Sequence, residues 1–204
     1  MKKLFSSVFI LFAFCLASCS TPMQTTQSRQ NNLDSAFSST VTLTLDKLTA
    51  EGTVKRYGDS EWEIEFESPN TLSGVNLAFS QGNVNASYKG LSFSVPKSAL
   101  PVKAMLINLI DAVDTNARSE ELKGSDNEGM LEISGTLEGG DYILTIDGNG
   151  NISSFNMPNN LFEINFSEVT QIAGTPAPTT ESQEKPTVPA ETTVQAENSN
   201  QEAN

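Results

Sequence analysis

Histidine is absent from the 204 residues, and cysteine occurs only at Cys15 and Cys19. Without histidine there is no Ser-His-Asp or Cys-His catalytic arrangement and no histidine-bound zinc. With both cysteines inside the first 19 residues, no disulfide can staple the rest of the chain. Basic residues are scarce as well: 12 Lys and Arg stand against 25 Asp and Glu, a net charge of −13. Such a charge favours solubility and opposes attraction to DNA, RNA or anionic head groups, so no nucleic-acid partner is expected. No phosphate-binding glycine motif occurs, and no cofactor or metal is expected. Ser-Lys and paired-carboxylate chemistry survive these exclusions.

The N-terminus is the most specific stretch. Lys2 and Lys3 precede an apolar run over residues 4–16, and Leu16-Ala17-Ser18-Cys19 follows. A cationic start, an apolar middle and small residues at a cut describe a secretory signal. The run is too short to span a hydrocarbon core of ~30 Å. Leu, two small residues and Cys resemble the lipobox of bacterial lipoproteins. Cys15 is the poorer match, because Phe14 would stand at −1. The resemblance implies that residues 1–18 are a signal peptide and that Cys19 becomes the lipidated N-terminus. Acyl chains of the palmitate type on Cys19 would hold the protein at the extracytoplasmic face of a cell membrane, because two or more chains anchor firmly.

Residues 19–34 are polar and read as a flexible tether, and residues 173–204, rich in Pro, Thr and Glu, read as a disordered tail. Residues 35–172 remain for one folded domain. Its dominant signal is period two. In residues 60–68, Trp62, Ile64 and Phe66 alternate with Glu61, Glu63, Glu65 and Glu67, the mark of an antiparallel sheet with one dry face. The pattern repeats around Val41, Val75, Val84 and Leu91, and again beyond residue 130. Short turns such as Gly58-Asp59 and Gly139-Gly140 join the runs, so successive strands should be neighbours. A bulged connection at Gly58-Asp59 would set Val54 beside Ile64 and Lys55 beside Glu63. It would also turn Arg56 toward Trp62, within cation–π reach. Residues 98–114 carry the convincing helix, with Ser98 as cap and an unusually wide apolar face. Residues 115–128 read as a mobile loop.

Two clusters tempt and are set aside. The four glutamates have a spacing that inverting glycosidases use, but a row of acids opposite apolar residues is the wet face of a sheet. Asp147-Gly148-Asn149-Gly150-Asn151 lacks the Glu that a calcium loop needs at its twelfth position, where Pro158 stands, and reads as a turn.

The expected fold is mainly β with one helix: a curved antiparallel meander or half-barrel of about ten strands capped by the helix. The order strand–helix–strand over residues 37–168 resembles the lipoprotein-carrier fold of the LolA/LolB/LppX type. That resemblance implies a non-enzymatic protein binding an acyl chain, a lipoprotein or another hydrophobic ligand between sheet and helix. The expected lining is Trp62, Ile64, Phe66, Leu77, Phe79, Tyr88, Phe93, Met105, Leu106 and Ile110. The alternative is a cell-envelope module with a filled core that meets a protein partner.

Overall fold

The computed structural model describes residues 26–101 and 104–174. The expected signal peptide, Cys19 and residues 175–204 of the expected tail lie outside the described residues. Within them runs one antiparallel sheet of 12 strands. In chain order these are β1 (Thr26–Gln30), β2 (Phe37–Leu45), β3 (Leu48–Gly58), β4 (Glu61–Ser68), β5 (Asn76–Ser80), β6 (Asn83–Tyr88) and β7 (Leu91–Pro96). A helix α1 (Met105–Ala117) follows, then β8 (Glu121–Asn127), β9 (Met130–Leu137), β10 (Gly140–Ile146), β11 (Ile152–Met157) and β12 (Phe162–Gln171). The strands β2–β7 form one meander and β8–β12 another, and the pairing of β12 with β2 joins them. β1 and β7 are the two edges, so the sheet is not closed.

Alternating side chains explain the strands. In β4, Trp62, Ile64 and Phe66 are buried while Glu65 and Glu67 are exposed. The expected register holds: Val54 faces Ile64, Lys55 faces Glu63, and a bulge between Arg56 and Gly58 absorbs the extra residue. The Arg56 guanidinium lies 5.8 Å from the Trp62 ring centroid. Gly52 is fixed by a close approach, since a Cβ there would come within 2.1 Å of the Glu65 carbonyl oxygen.

Four expectations need correction. Sequence reading counts about ten strands, whereas the sheet has 12. The additional two, β1 and β8, pair with each other. β8 lies inside the expected loop 115–128, and only Leu122 of its side chains is buried. The expected tether 19–34 is ordered in its described part. Besides forming β1, it buries Leu33 in the core. It also presents the Asn31 amide to the carbonyl oxygens of Asn116, Ala117 and Ser119 at the end of α1. The helix begins at Met105 and ends at Ala117 rather than spanning 98–114. Ser98 sits in a separate 3-10 turn, Lys97–Ala99, and Ala104 precedes α1 with no side-chain cap.

Antiparallel pairing sends alternate turns to opposite ends of the sheet. The β2–β3, β4–β5, β6–β7 and β11–β12 turns lie at one end; the β3–β4, β5–β6 and β10–β11 turns lie at the other. The interior differs along this axis. Toward the second end, Leu109 and Val113 of α1 belong to a dense core with Leu33, Phe37, Trp62, Leu144 and Phe155. Phe37 meets Trp62 edge-on at 5.8 Å. Toward the first end, and beneath β5–β7 along most of their length, the interior is not filled.

Candidate ligand-binding cavity

Between the sheet and the start of α1 lies a cavity of about 480 Å³. β2 and β3 supply Leu43, Leu45, Leu48 and Ala50, and β4–β5 supply Phe66, Leu72, Leu77 and Phe79. β6 and β7 add Val84, Ala86, Phe93 and Val95, and Phe162 opens β12 on the same wall. Leu100, Ala104, Met105, Leu106 and Ile107 close it from the helix side. Every lining side chain is aliphatic, aromatic or methionine. Period two explains the sheet wall: Val84 and Ala86, or Phe93 and Val95, point to one side of their strands. The volume falls in the ~300–1,000 Å³ range of small-molecule sites. At ~30 Å³ per water it would take roughly a dozen or more waters with few polar partners, so an apolar occupant is favoured.

Of the expected lining, Phe66, Leu77, Phe79, Phe93, Met105 and Leu106 meet in this cavity. The other four do not. Trp62 and Ile64 share a face with Phe66 but are packed into the core, although Phe79 and Leu77, their partners on β5, do line the cavity. Ile110 turns into a separate hollow of about 60 Å³ beside Ser60 and Phe79. Tyr88 stands at the rim, with Lys89 Nζ 4.9 Å from its ring centroid. Sequence reading missed the β2–β3 contribution, although Leu43 and Leu45 carried the same alternation as β4.

The filled half is held by a polar network. Arg56 and Asp114 are buried, with side-chain exposures of 3% and 5%. Arg56 Nε donates to Asp114 Oδ1 at 2.9 Å, the Ser60 N–H donates to Oδ2 at 2.8 Å, and Trp62 Nε1 donates to the same carboxylate at 3.3 Å. Arg56 also donates to the Asp34 carbonyl at 3.1 Å. Burial pushes the Asp114 carboxyl above its ordinary value, against the pull of the Ser60 N–H, Arg56 and Trp62. Nearly two turns earlier in α1, Asn108 Oδ1 accepts from the Gly139 N–H at 3.2 Å. Its Nδ2 donates to the Ala104 carbonyl at 3.1 Å. These contacts pin α1 from Asn108 onward to β3–β4 and to the β9–β10 turn. The first turn, which lacks a cap, is the part of α1 over the cavity.

A larger cleft of about 720 Å³ lies on the other side of the α1 start. Its walls include Lys97, Asp111 and Glu138, and Lys97 pairs with Asp111 across it. It is a surface groove of mixed polar and apolar lining that shares Leu100 and Ile107 with the apolar cavity. On the outer face of the sheet, Glu63 accepts from Tyr57 at 2.9 Å and from Asn76 at 2.6 Å, and lies 3.7 Å from Lys55. The glutamate row thus serves as a wet face with one well-partnered member. Asp147 Oδ1 accepts from the N–H groups of Asn149 and Asn151, the hydrogen bonding of a turn.

No family model matches the chain, and no curated protein does. Among solved structures, an uncharacterized conserved protein from Thermus thermophilus is similar with a TM-score of 0.47 and 14% identity, covering 71% of this chain and 83% of that one. A LolA superfamily protein from Nitrosomonas europaea gives a TM-score of 0.36 and 8% identity over 70% of this chain and 88% of that one. A DUF1329 family protein from Desulfovibrio piger gives 0.37 and 14%, over 70% and 87%. Likeness of this degree carries no functional inference, and the cavity's own walls must do so.

Proposed function

We propose that this protein is a non-enzymatic carrier that holds an acyl chain, or another elongated hydrophobic ligand, in the cavity between sheet and helix. The observation that carries this reading is a space of about 480 Å³ with no polar side chain in its lining. Ligand transfer is driven by burial of apolar surface at ~25 cal/mol per Å², less the cost of immobilising the chain. The uncapped first turn of α1 is the part that yields, because Asn108 and Asp114 hold the remainder. On this reading Cys19 is lipidated after removal of residues 1–18, and the anchor keeps the cavity beside the membrane that supplies its ligand.

Native mass spectrometry of protein extracted from membranes should show a bound lipid. The delipidated protein should take up a fluorescent fatty acid that unlabelled fatty acid displaces. Ala86→Phe, which places a ring inside the cavity, should abolish uptake. A protein without lipid that also leaves the probe in solution would exclude the proposal. A filled-core envelope module is less well supported, because the space at this end of the sheet is not filled.

A further inference from the structure

Among the described residues, the exposed large apolar side chains are Leu45, Leu48, Tyr88, Leu91, Phe93 and Leu161. They gather at one end of the sheet. Leu45 and Leu48 face each other across the β2–β3 turn, and Tyr88 and Leu91 across the β6–β7 turn. Leu161 sits in the β11–β12 turn, where its carbonyl accepts the Asp46 N–H at 2.9 Å. Leu91 lies on the same side of β7 as Phe93 and Val95, and Tyr88 on the same side of β6 as Val84 and Ala86. The inner members of both series line the cavity. The rim therefore continues the cavity wall outward into solvent. Leu91, Phe93 and Leu161 are 75%, 66% and 62% exposed. Exposed apolar side chains gathered around the mouth of an apolar cavity mark an interaction surface.

We propose that this rim docks on the surface of a zwitterionic phospholipid bilayer, with the cavity mouth facing the lipid. The charge pattern selects this occupant. Lys47 and Lys89 occupy the tips of the β2–β3 and β6–β7 turns beside the apolar rim. Lysines next to leucines and a tyrosine match the interface of a bilayer, where apolar stems enter and ammonium groups stay at phosphate level. Asp46 neighbours Lys47 in the β2–β3 turn, so that tip is neutral overall and suits a surface without net charge, while Asp59 and Asp147 lie in turns of the opposite end. A second copy is disfavoured as occupant, because two chains of net charge −13 would have to meet. Residues 175–204 hold no apolar side chain larger than Val188 and Val194, too little to cover a leucine and phenylalanine rim.

The inference deepens the carrier reading, and its test is separable from it. Leu91→Trp and Leu48→Trp place reporters on the rim, and Gly148→Trp places one at the opposite end, where a Cβ meets open space. Each full-length variant is mixed with phosphatidylcholine vesicles carrying a nitroxide near the head group. The rim reporters should shift to the blue and lose emission to the nitroxide, whereas Gly148→Trp and the buried Trp62 should keep theirs. Adding Ala86→Phe blocks the cavity; because Ala86 pairs with the rim residue Phe93, quenching in this background is read at Leu48→Trp on β3, where it should persist even if no acyl chain ever occupies the cavity. Unquenched rim reporters, equal quenching at both ends, or a concentration-dependent blue shift without vesicles would each overturn the proposal. The last would point to self-association.

Discussion

Replacing either member of the Arg56–Asp114 pair should destabilise the protein strongly, and with different pH dependence. Both groups are nearly dry, and breaking a buried pair by removing one partner costs about 3–5 kcal/mol. Arg56→Met leaves the Asp114 carboxylate with the Ser60 and Trp62 N–H donors but no countercharge. Burial already lifts this carboxyl above its ordinary 3.8, and loss of Arg56 lifts it further. A carboxyl with a raised value in the folded state holds its proton more tightly there than in the unfolded chain. Its contribution is therefore complete below the ordinary value and is lost as pH climbs through the raised one. Between the two, Arg56→Met should lose stability at up to ~1.4 kcal/mol per pH unit.

Asp114→Asn behaves differently. The guanidinium cannot shed its proton, so it stays buried on the Asp34 carbonyl at any pH, and the penalty should be flat from mildly acidic to neutral conditions. The double variant Arg56→Met/Asp114→Leu removes both charges. It also orphans the Ser60 and Trp62 N–H groups, each costing about 1–3 kcal/mol. Recovery should thus be partial. Trp62 is the only tryptophan and donates to this carboxylate, so urea unfolding followed by its emission reads the site directly. Single variants within about 1 kcal/mol of the parent, or an Arg56→Met stability without pH slope, would refute the account.

Tyr57 is pushed up to about 12 by burial and by the Glu63 carboxylate it donates to, so its phenol should stay largely protonated at pH 11, and Tyr57→Phe should leave the tyrosinate absorbance at that pH almost unchanged. The raised value means stability should fall as pH rises from 10 toward 12, and Tyr57→Phe should flatten that part of an alkaline unfolding profile. Gly52→Ala should cost about 1–3 kcal/mol in urea unfolding, because its Cβ would strike the Glu65 carbonyl. Leu122→Ala should cost about 2–5 kcal/mol, since Leu122 is the fully buried side chain of β8. A neutral result there would mean that the β1–β8 pair is peripheral.

The two strands hidden from sequence reading show what pattern alone misses. β1 reads Thr-Gln-Ser-Arg-Gln and β8 reads Glu-Leu-Lys-Gly-Ser-Asp-Asn, so neither has a run of alternating apolar residues. β1 is a strand because β8 supplies its backbone partners, five residues from each being paired, and β8 is held between β1 and β9. That information is spread over nearly a hundred positions of chain and appears in neither segment. The helix start was obscured for a different reason. Ser98 and Pro101 are both good openers of a helix, but Ser98 lies within the short 3-10 turn and the helix itself begins at Met105, after Ala104. The β3–β4 register was legible because one arrangement buried Val54 and paired Lys55 with Glu63, while the other opposed Lys55 to Trp62.

The cavity was half legible for a geometric reason. Alternation tells which face of a strand a residue is on and says nothing of its position along the strand or of the strand's place across the sheet: Leu77 and Phe79, paired with Ile64 and Trp62, do border the cavity. Trp62, Ile64 and Phe66 are indistinguishable by that measure, yet the first two lie in dense core and the third borders open space. What separates them is where α1 is fastened. Asp114 draws the end of the helix down onto Trp62 and the β3–β4 turn, while the first turn of α1 stands over Phe66, Leu77 and Phe93. The buried carboxylate, a costly feature if stability alone mattered, thus fixes which half of the sheet is filled. If that is its role, Asp114→Asn should change more than stability. At temperatures where the variant remains folded, uptake of a fluorescent fatty acid should alter in rate, because the lid is no longer held at one end. An unchanged uptake rate in a folded Asp114→Asn variant would separate the latch from the cavity and leave the network a purely structural device.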